Sequence, residues 1–257
     1  SWWGTDFTVS REMKGKRIKI FFSEGIRQRA EVFVNRKLVG YELVHQTPFE
    51  IDVTDVVNYG SNNELAVRIT DPSGNFSWGD YTGDKWGDYL FPQSHGFGGI
   101  LGAVELRSVS PLYVSDVFVK NKPSLKDIDV DIEIINEASS KVLKGSVDVA
   151  IVEAWKSNAP VTDPKTLFTK NLGKVNVKTG ETIKLTFSAS VPEARLWELK
   201  NSNLYNVVTT IKDSKGKVVD QHKQRFGFRF LSVEGYGKNA TLNFNGKRTL
   251  LISSISW

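Results

Sequence analysis

The sequence predicts an all-β chain of two successive β-sandwiches. Three observations predict it. Apolar residues recur with period two rather than 3.6, clusters of Gly, Asn and Ser punctuate the alternating runs, and no long amphipathic helical pattern occurs before Trp257. In the first half, Ile18, Ile20 and Phe22 alternate with Lys19 and Phe21. Ala30, Val32 and Val34 alternate with Glu31 and Phe33, and Leu65, Val67 and Ile69 with Ala66, Arg68 and Thr70. Each run predicts a strand with one face buried. Tyr59-Gly60-Ser61-Asn62-Asn63 supplies residues that tolerate positive φ, so a tight reversal precedes the Leu65 strand. The basic cluster Lys14-Gly15-Lys16-Arg17 reads as a solvated turn, because its charges are interleaved with apolar strand residues.

A second block starts near Val114. Val114, Val117 and Val119 lead into unbroken alternation over 127–134, with Asp127, Asp129, Asp131 and Glu133 on one face. Period two spaces those carboxylates by roughly 7 Å, too far for all to share one cation, so they predict the solvent face of a sheet. Further strands are predicted at 183–187 and 207–211, and Asp213-Ser214-Lys215-Gly216-Lys217 turns the chain back into Val218-Val219. Short strands at this spacing predict an immunoglobulin-like sandwich. The boundary between blocks falls at Ser110-Pro111, with no Gly/Ser-rich or Pro-rich spacer.

Composition narrows the classes. The chain has 257 residues, 40% hydrophobic and 25% charged, which is ordinary for globular domains. Apolar runs such as Val149-Ala150-Ile151-Val152 are far too short to span a membrane as a helix. With no cysteine, disulfides, thiolate metal sites and a Cys nucleophile are excluded. The three histidines show no metal-ligand spacing, so no cofactor or metal is expected. The net charge of +5 is dispersed, so neither nucleic acid nor membrane is an expected partner. Ser1-Trp2-Trp3-Gly4 has no signal-peptide character and reads as the inside of a strand, so the sequence is expected to start internally. Residues 229–257 are too few to bury a core, which predicts a front piece of a larger protein.

Three segments, in order, resemble one family. Ala30-Glu31-Val32-Phe33-Val34-Asn35, with Thr47-Pro48-Phe49-Glu50-Ile51-Asp52 and Asn63-Glu64-Leu65-Ala66-Val67-Arg68, resembles the N-terminal jelly-roll, galactose-binding-like domain of glycoside hydrolase family 2. Gly98-Gly99-Ile100-Leu101-Gly102-Ala103-Val104-Glu105-Leu106 is similar to that domain's last strand. Leu196-Trp197, Asn203-Leu204-Tyr205 and Arg225-Phe226-Gly227-Phe228-Arg229 are similar to the end of the family's immunoglobulin-like domain. Leu242 to Lys247 is similar to the hairpin that opens its catalytic (β/α)₈ barrel. The resemblance implies domains at 1–111, 112–228 and 229–257, the last a truncated start of the barrel. It also implies retaining hydrolysis of terminal β-linked sugars by two barrel glutamates beyond residue 257. No catalytic residue is therefore expected in this stretch. Asn63-Glu64 and Asn136-Glu137 read as turn and strand-end residues. Leu251-Ile252-Ser253-Ser254-Ile255-Ser256-Trp257 departs from the family's usual Arg-Gly-x-Asn run, which implies a divergent branch; β-galactoside is the default substrate. The implied partners are a β-glycoside, the chain's own barrel and, through an exposed strand at 249–256, a second copy. A periplasmic or secreted bacterial location is expected over a cytoplasmic one.

The stretch from Asp71 to Gly98 concentrates Trp78, Asp80, Tyr81, Asp84, Trp86, Asp88, Tyr89 and His95. Aromatic faces suit the C–H faces of a sugar and carboxylates accept its hydroxyl hydrogens. The resemblance implies that this loop reaches the barrel mouth, with Asp84 and Trp86 ahead of Asp80, Asp88, Trp78 and His95 as substrate contacts. Packing between domains is the other reading of the same residues. Elsewhere, His45 reads as a strand-end residue, and His222 as lying on an outward face. Trp155 and Trp197 read as core or junction anchors, and Trp2 and Trp3 as filling the first sandwich. A stand-alone carbohydrate-binding module acting through Trp78 and Trp86 is the alternative function, and an adhesion protein of stacked sandwiches ranks last.

Overall fold

The computed structural model describes residues 1–27, 29–44, 46–70 and 98–250, together with the backbone of two short strands at 85–86 and 89–90. The chain divides into two compact units, Ser1–Ser110 and Pro111–Trp257. Among the described residues all regular structure is strand apart from single 3₁₀ turns at Arg11–Met13 and Gly237–Asn239. No helix of the described residues is long and apolar enough to cross a membrane.

The first unit runs β1 (Trp2–Thr8), β2 (Arg17–Phe22), β3 (Ile26–Arg27), β4 (Arg29–Val34), β5 (Lys37–Glu42), β6 (Phe49–Asp52), β7 (Asn62–Thr70), β8 (Lys85–Trp86), β9 (Tyr89–Leu90), β10 (Gly99–Ile100) and β11 (Val104–Val109). A four-stranded antiparallel sheet, β1-β7-β4-β5, belongs with a three-stranded one, β11-β2-β6, and the short pair β10-β3. The alternation explains the pairing. Val32, Val34, Val67 and Ile69 on one sheet and Ile18, Ile20 and Phe22 on the other are all at most 2% exposed and share one cluster. Each such side chain contributes roughly 1.5–3 kcal/mol by leaving water. Asn63, also buried, ties the reversal before β7. Its amide oxygen accepts from Asn58 N at 2.6 Å and its amide nitrogen donates to the Asn58 and Ser61 carbonyls.

Trp2 and Trp3 correct the sequence reading. They are 62% and 50% exposed, not core residues. β1 is the edge of its sheet, and Trp2 pairs in register with Arg68 on the outer face. Trp3 faces inward opposite Val67, but at the rim of the sheet it is not enclosed; from β1 only Phe7 packs against the core.

The second unit runs β12 (Leu112–Asn121), β13 (Asp127–Asn136), β14 (Leu143–Lys156), β15 (Ala159–Pro160), β16 (Thr166–Val177), β17 (Thr182–Ser190), β18 (Leu204–Lys212), β19 (Val218–Phe226), β20 (Leu231–Glu234), β21 (Thr241–Phe244) and β22 (Lys247–Arg248). The sheet β12-β13-β17 shares one core with the sheet β15-β14-β18-β19, to which β16 adds through β14; β20-β21-β22 form a small third sheet. This is the immunoglobulin-like sandwich. Ile128, Val130, Ile132 and Ile134 from β13 meet Val147, Val149 and Ile151 from β14 and Val207 and Ile211 from β18. Tyr205, at the start of β18, bonds back to the chain through its hydroxyl, which accepts from Arg195 N at 2.7 Å, the tyrosine corner of such sandwiches. A bulge between Val114 and Asp116 explains why Val114 and Val117, three apart, are both buried.

His222 also corrects the reading. It pairs with Thr209, which is fully buried, so it lies on the inner face of β19 with Asp220 and Gln224. These polar residues are tolerated because β19 is an edge strand beside the edge of β12. There Asp220 Oδ2 accepts from Val114 N at 2.8 Å, and Asn121 Nδ2 donates to the Gly227 carbonyl at 3.0 Å. The two sheets are thus joined at their rims by bonds to backbone groups the ladders leave free.

Burial raises the Asp220 carboxyl above its usual range, against the bonds from Val114 N and Gln221 N and the nearby His222. Folded Asp220 therefore binds its proton at higher pH than unfolded Asp220. Its ionisation costs stability at neutral pH, and that cost is relieved as pH falls through the folded value toward about 3.9. Asp220→Asn retains an acceptor for Val114 N without the charge. Urea unfolding is expected to show it at least as stable as the parent at pH 7, with that advantage shrinking on acidification. Asp220→Ala strands the Val114 N–H and is expected to lose about 1–3 kcal/mol. An Asn variant whose advantage grows in acid would refute this account.

Candidate functional site

The aromatic and acidic residues predicted to meet sugar fall in the stretch between β7 and β10. Trp78, Asp80, Asp84, Asp88 and His95 lie outside the described residues, as does His45. Trp86 and Tyr89 are register partners in the β8–β9 pair. The roots of the stretch are anchored. Thr70 pairs with Arg29 in β4, and Gly99 pairs with Arg27 in β3, so both ends of the loop attach within a few residues of one another in the chain.

The acids of β13 are engaged by neighbouring side chains. Asp131 is paired with Lys120 at 2.9 Å and Lys184 at 2.7 Å, and Asp129 with Lys122 at 2.7 Å and the Ser188 hydroxyl. These lysine partners hold the Asp131 and Asp129 carboxyls below the usual range. Asp127 is lowered chiefly by the Ser124 hydroxyl. Among the described residues no group of three or more His, Asp or Glu side chains is arranged to hold a metal ion.

A second constellation, within the second unit, is built around Trp197 and Asn245. Asn245 and Gly246 form the two-residue connection between β21 and β22, with φ of +50° and +75°. Asn-Gly is the sequence such a hairpin favours, because both central residues need positive φ. The Asn245 side chain does more than turn the chain. Its Nδ2 donates to the Trp197 carbonyl at 2.9 Å and its Oδ1 accepts from Phe230 N at 2.9 Å. Its own N–H bonds to the Phe230 carbonyl at 2.8 Å, while Trp197 N donates to Phe228 O at 2.9 Å. The Trp197 ring meets Phe244 edge-on at 5.6 Å, and the Arg229 guanidinium lies 5.0 Å from its centre. Space at the joint is tight: a Cβ on Gly227 would come within 3.0 Å of the Trp197 Cβ. Behind it, Tyr205, Phe226 and Phe228 pack ring to ring.

The joint therefore ties the hairpin sheet β20-β21-β22 to the immunoglobulin-like sandwich through one hydrogen bond, Asn245 Nδ2 to the Trp197 carbonyl, and the Trp197–Phe244 contact; the two Asn245–Phe230 bonds close the hairpin sheet itself, and the Trp197–Phe228 bond holds Trp197 to the sandwich. Trp197 is the junction anchor that the sequence suggested. Asn245 as a hub was missed, although its Asn-Gly dipeptide was visible. Trp155 is instead a half-buried residue at the sheet's end, 5.9 Å from Arg225.

Two successive β-sandwiches, the second followed by a clamped hairpin, set the fold class, and known proteins share it. Residues 112–229 match the profile described as glycosyl hydrolases family 2. A β-glucuronidase from Formosa agariphila is 24% identical over 257 residues, covering 97% of this chain and 25% of its own length. A β-galactosidase from Priestia megaterium is 25% identical over 252 residues, covering 95% of this chain and 22% of its own. Among solved structures, a family 2 member from Bacteroides cellulosilyticus superposes with a TM-score of 0.72 at 25% identity, over 96% of this chain and 30% of that one. A Bacteroides uniformis β-glucuronidase shares the fold with a TM-score of 0.69 at 22% identity. The family match thus covers residues 112–229, and over nearly all of its length the chain is similar to a part of family 2 proteins. It spans about a quarter of the length of the curated relatives it matches, 25%, 27% and 22% for the first three.

Asn245→Ala removes two of the side-chain bonds and puts a Cβ residue without a local partner at positive φ. It is expected to cost about 2–3 kcal/mol locally. Hydrogen exchange should then show the amides of β20 and β21 opening well before the β13–β14 core. Asn245→Gly keeps the turn but not the bonds and should reproduce most of the effect. Unchanged exchange in both variants would show that the joint does not hold the hairpin.

Proposed function

We propose that the whole protein containing this chain is a retaining β-glycosidase, and that these two sandwiches brace its catalytic domain. The observation that carries the bracing role is the Trp197–Asn245 joint. It fixes the hairpin β20–β22, the last described element of the chain, against a rigid sandwich. A barrel continuing from that hairpin would inherit its position from the sandwich. Pre-organised supports of this kind matter because catalytic carboxyls must be held within fractions of an ångström, here at the ~5–5.5 Å separation of retaining enzymes.

The terminal sugar is a β-galactoside or a β-glucuronide. The names carried by the curated relatives divide between these two, and galactoside remains the first choice from the sequence. The loop carrying Asp84 and Trp86, followed by Asp80, Asp88, Trp78 and His95, is proposed to supply one wall of the active site. Its roots at Thr70 and Gly99 are tied to adjacent strands, which suits a loop that presents side chains at one end of a sandwich.

The test is hydrolysis of nitrophenyl β-galactoside and β-glucuronide by the whole protein and by residues 1–257 in parallel. Turnover by the whole protein alone is the expected result, and the faster substrate names the sugar. Asp84→Ala in the whole protein should then lower kcat/KM by tenfold or more. Inactivity of the whole protein on both substrates would sink the glycosidase reading.

A further inference from the structure

The hairpin turn of the second unit carries a reactive dipeptide at its point of attachment. Asn245-Gly246 is the single Asn-Gly pair in the chain. The hydrogen bond that crosses from the hairpin to the sandwich is donated by Asn245 Nδ2, to the Trp197 carbonyl at 2.9 Å. Gly246 is exposed, and a Cβ there would meet nothing within 4 Å.

The first unit supplies a matched turn. Asn35-Arg36 joins β4 to β5 between the register partners Val34 and Lys37, as Asn245-Gly246 joins β21 to β22 between Phe244 and Lys247. Asn35 has the same φ of +50° and is pinned in the same manner. Its Nδ2 donates to the Val56 carbonyl at 2.8 Å and its Oδ1 accepts from Glu64 N at 3.1 Å. There the second turn residue is Arg36, at φ +65°. A turn of this geometry favours glycine at its second position without demanding it. The two turns therefore differ in chemistry more than in shape.

We infer that Asn245 is a modification site: it deamidates spontaneously when the joint opens, and the product prevents the joint from closing again. The Gly246 nitrogen attacks Asn245 Cγ. The new C–N bond closes a succinimide ring, the Cγ–Nδ2 bond breaks, and Nδ2 leaves with the proton of the Gly246 amide as ammonia. Water then opens the ring at either carbonyl, giving aspartate or isoaspartate. Glycine favours the first step, because a bare Cα leaves the attacking nitrogen unhindered and the backbone free to reach the cyclising conformation. In the closed joint the step is held back. Asn245 Cγ cannot swing onto the Gly246 nitrogen while Nδ2 is bonded to the Trp197 carbonyl and Oδ1 to Phe230 N. Reaction thus draws on the fraction of molecules in which the hairpin has opened locally. The nitrogen it expels is the donor of the crossing bond. A carboxylate only accepts, so after conversion an oxygen replaces that donor and two acceptors face each other, one of them charged. Isoaspartate also routes the main chain through Cγ, adding an atom to a turn whose ends are fixed by the Phe244–Lys247 pair. The hairpin sheet contributes nothing to the buried core of the unit, so its release leaves the sandwich folded.

This inference rests on the joint and not on the glycosidase reading. The test is to age the full chain, residues 1–257, at mildly alkaline pH. Conversion is followed by peptide-mapping mass spectrometry and an isoaspartate-specific methyltransferase assay, beside a synthetic peptide spanning 241–249. Asn245 is expected to convert while Asn35 stays intact, and to convert about tenfold or more slowly in the folded chain than in the peptide. Phe244→Ala removes the Trp197 contact without touching the dipeptide, and it should move the rate toward that of the peptide. Gly246→Arg copies the turn of the first unit and should slow conversion about tenfold or more. Asn245→Asp installs one product from the outset. Hydrogen exchange should then show the β20 and β21 amides opening well before the β13–β14 core, with circular dichroism confirming that the sandwich is folded. Asn245 as durable as Asn35 would overturn the proposal, as would conversion in the folded chain at the peptide's rate. Hairpin protection retained in both Asn245→Asp and the aged chain would overturn it too. An inactive whole protein leaves each of these outcomes unaffected.

Discussion

A strand with period-two alternation can bury only every second side chain, and on that constraint the molecule depends. Ile18, Ile20 and Phe22 must leave water on the same side as Val32, Val67 and Ile69, so two sheets share a cluster. The same holds for β13 against β14 and β18 in the second unit, where the buried isoleucines and valines come from every second position. Burial on this scale is worth roughly 1.5–3 kcal/mol per large side chain. A one-residue slip of any strand would turn its whole apolar set outward, so packing also sets register.

A sandwich so formed still has edges, and much of the chemical individuality of this chain sits there. At the rim of the second sandwich Asp220 and Asn121 use side-chain atoms to satisfy backbone groups that no ladder reaches. Asn136 does the same inside the unit, donating to the Lys141 and Val177 carbonyls. Asn63 performs this role in the first unit. On the edge strand β1, Trp2 stays exposed.

The Trp197 joint ties the hairpin β20–β22 to the second sandwich. Its crossing bond runs from Trp197, in the loop before β18, to Asn245 in the hairpin after β19, so the hairpin is tied to a core that does not include it. The crowding of Gly227 against Trp197 and Leu204 shows how little slack the joint has.

Alternation made most strands legible in the sequence. β2, β4, β7, β13, β18 and the start of β19 were each readable, as was the turn at 59–63. β14 and β16 were not. On β14, Ala150 and Val152 make the outer face apolar too and erase the period, and two register shifts break the pattern on β16. Family resemblance was readable because it resides in short ordered motifs. The sequence alone also determined that the acids of β13 could not share one ion, since strand geometry spaces them. Only the tertiary structure decided that Trp2 stays exposed and His222 turns inward, because both depend on which strands become edges. Only it brought Asn245 to Trp197. Those residues come from separate segments, and periodicity within a strand carries no information about which segment will lie beside it.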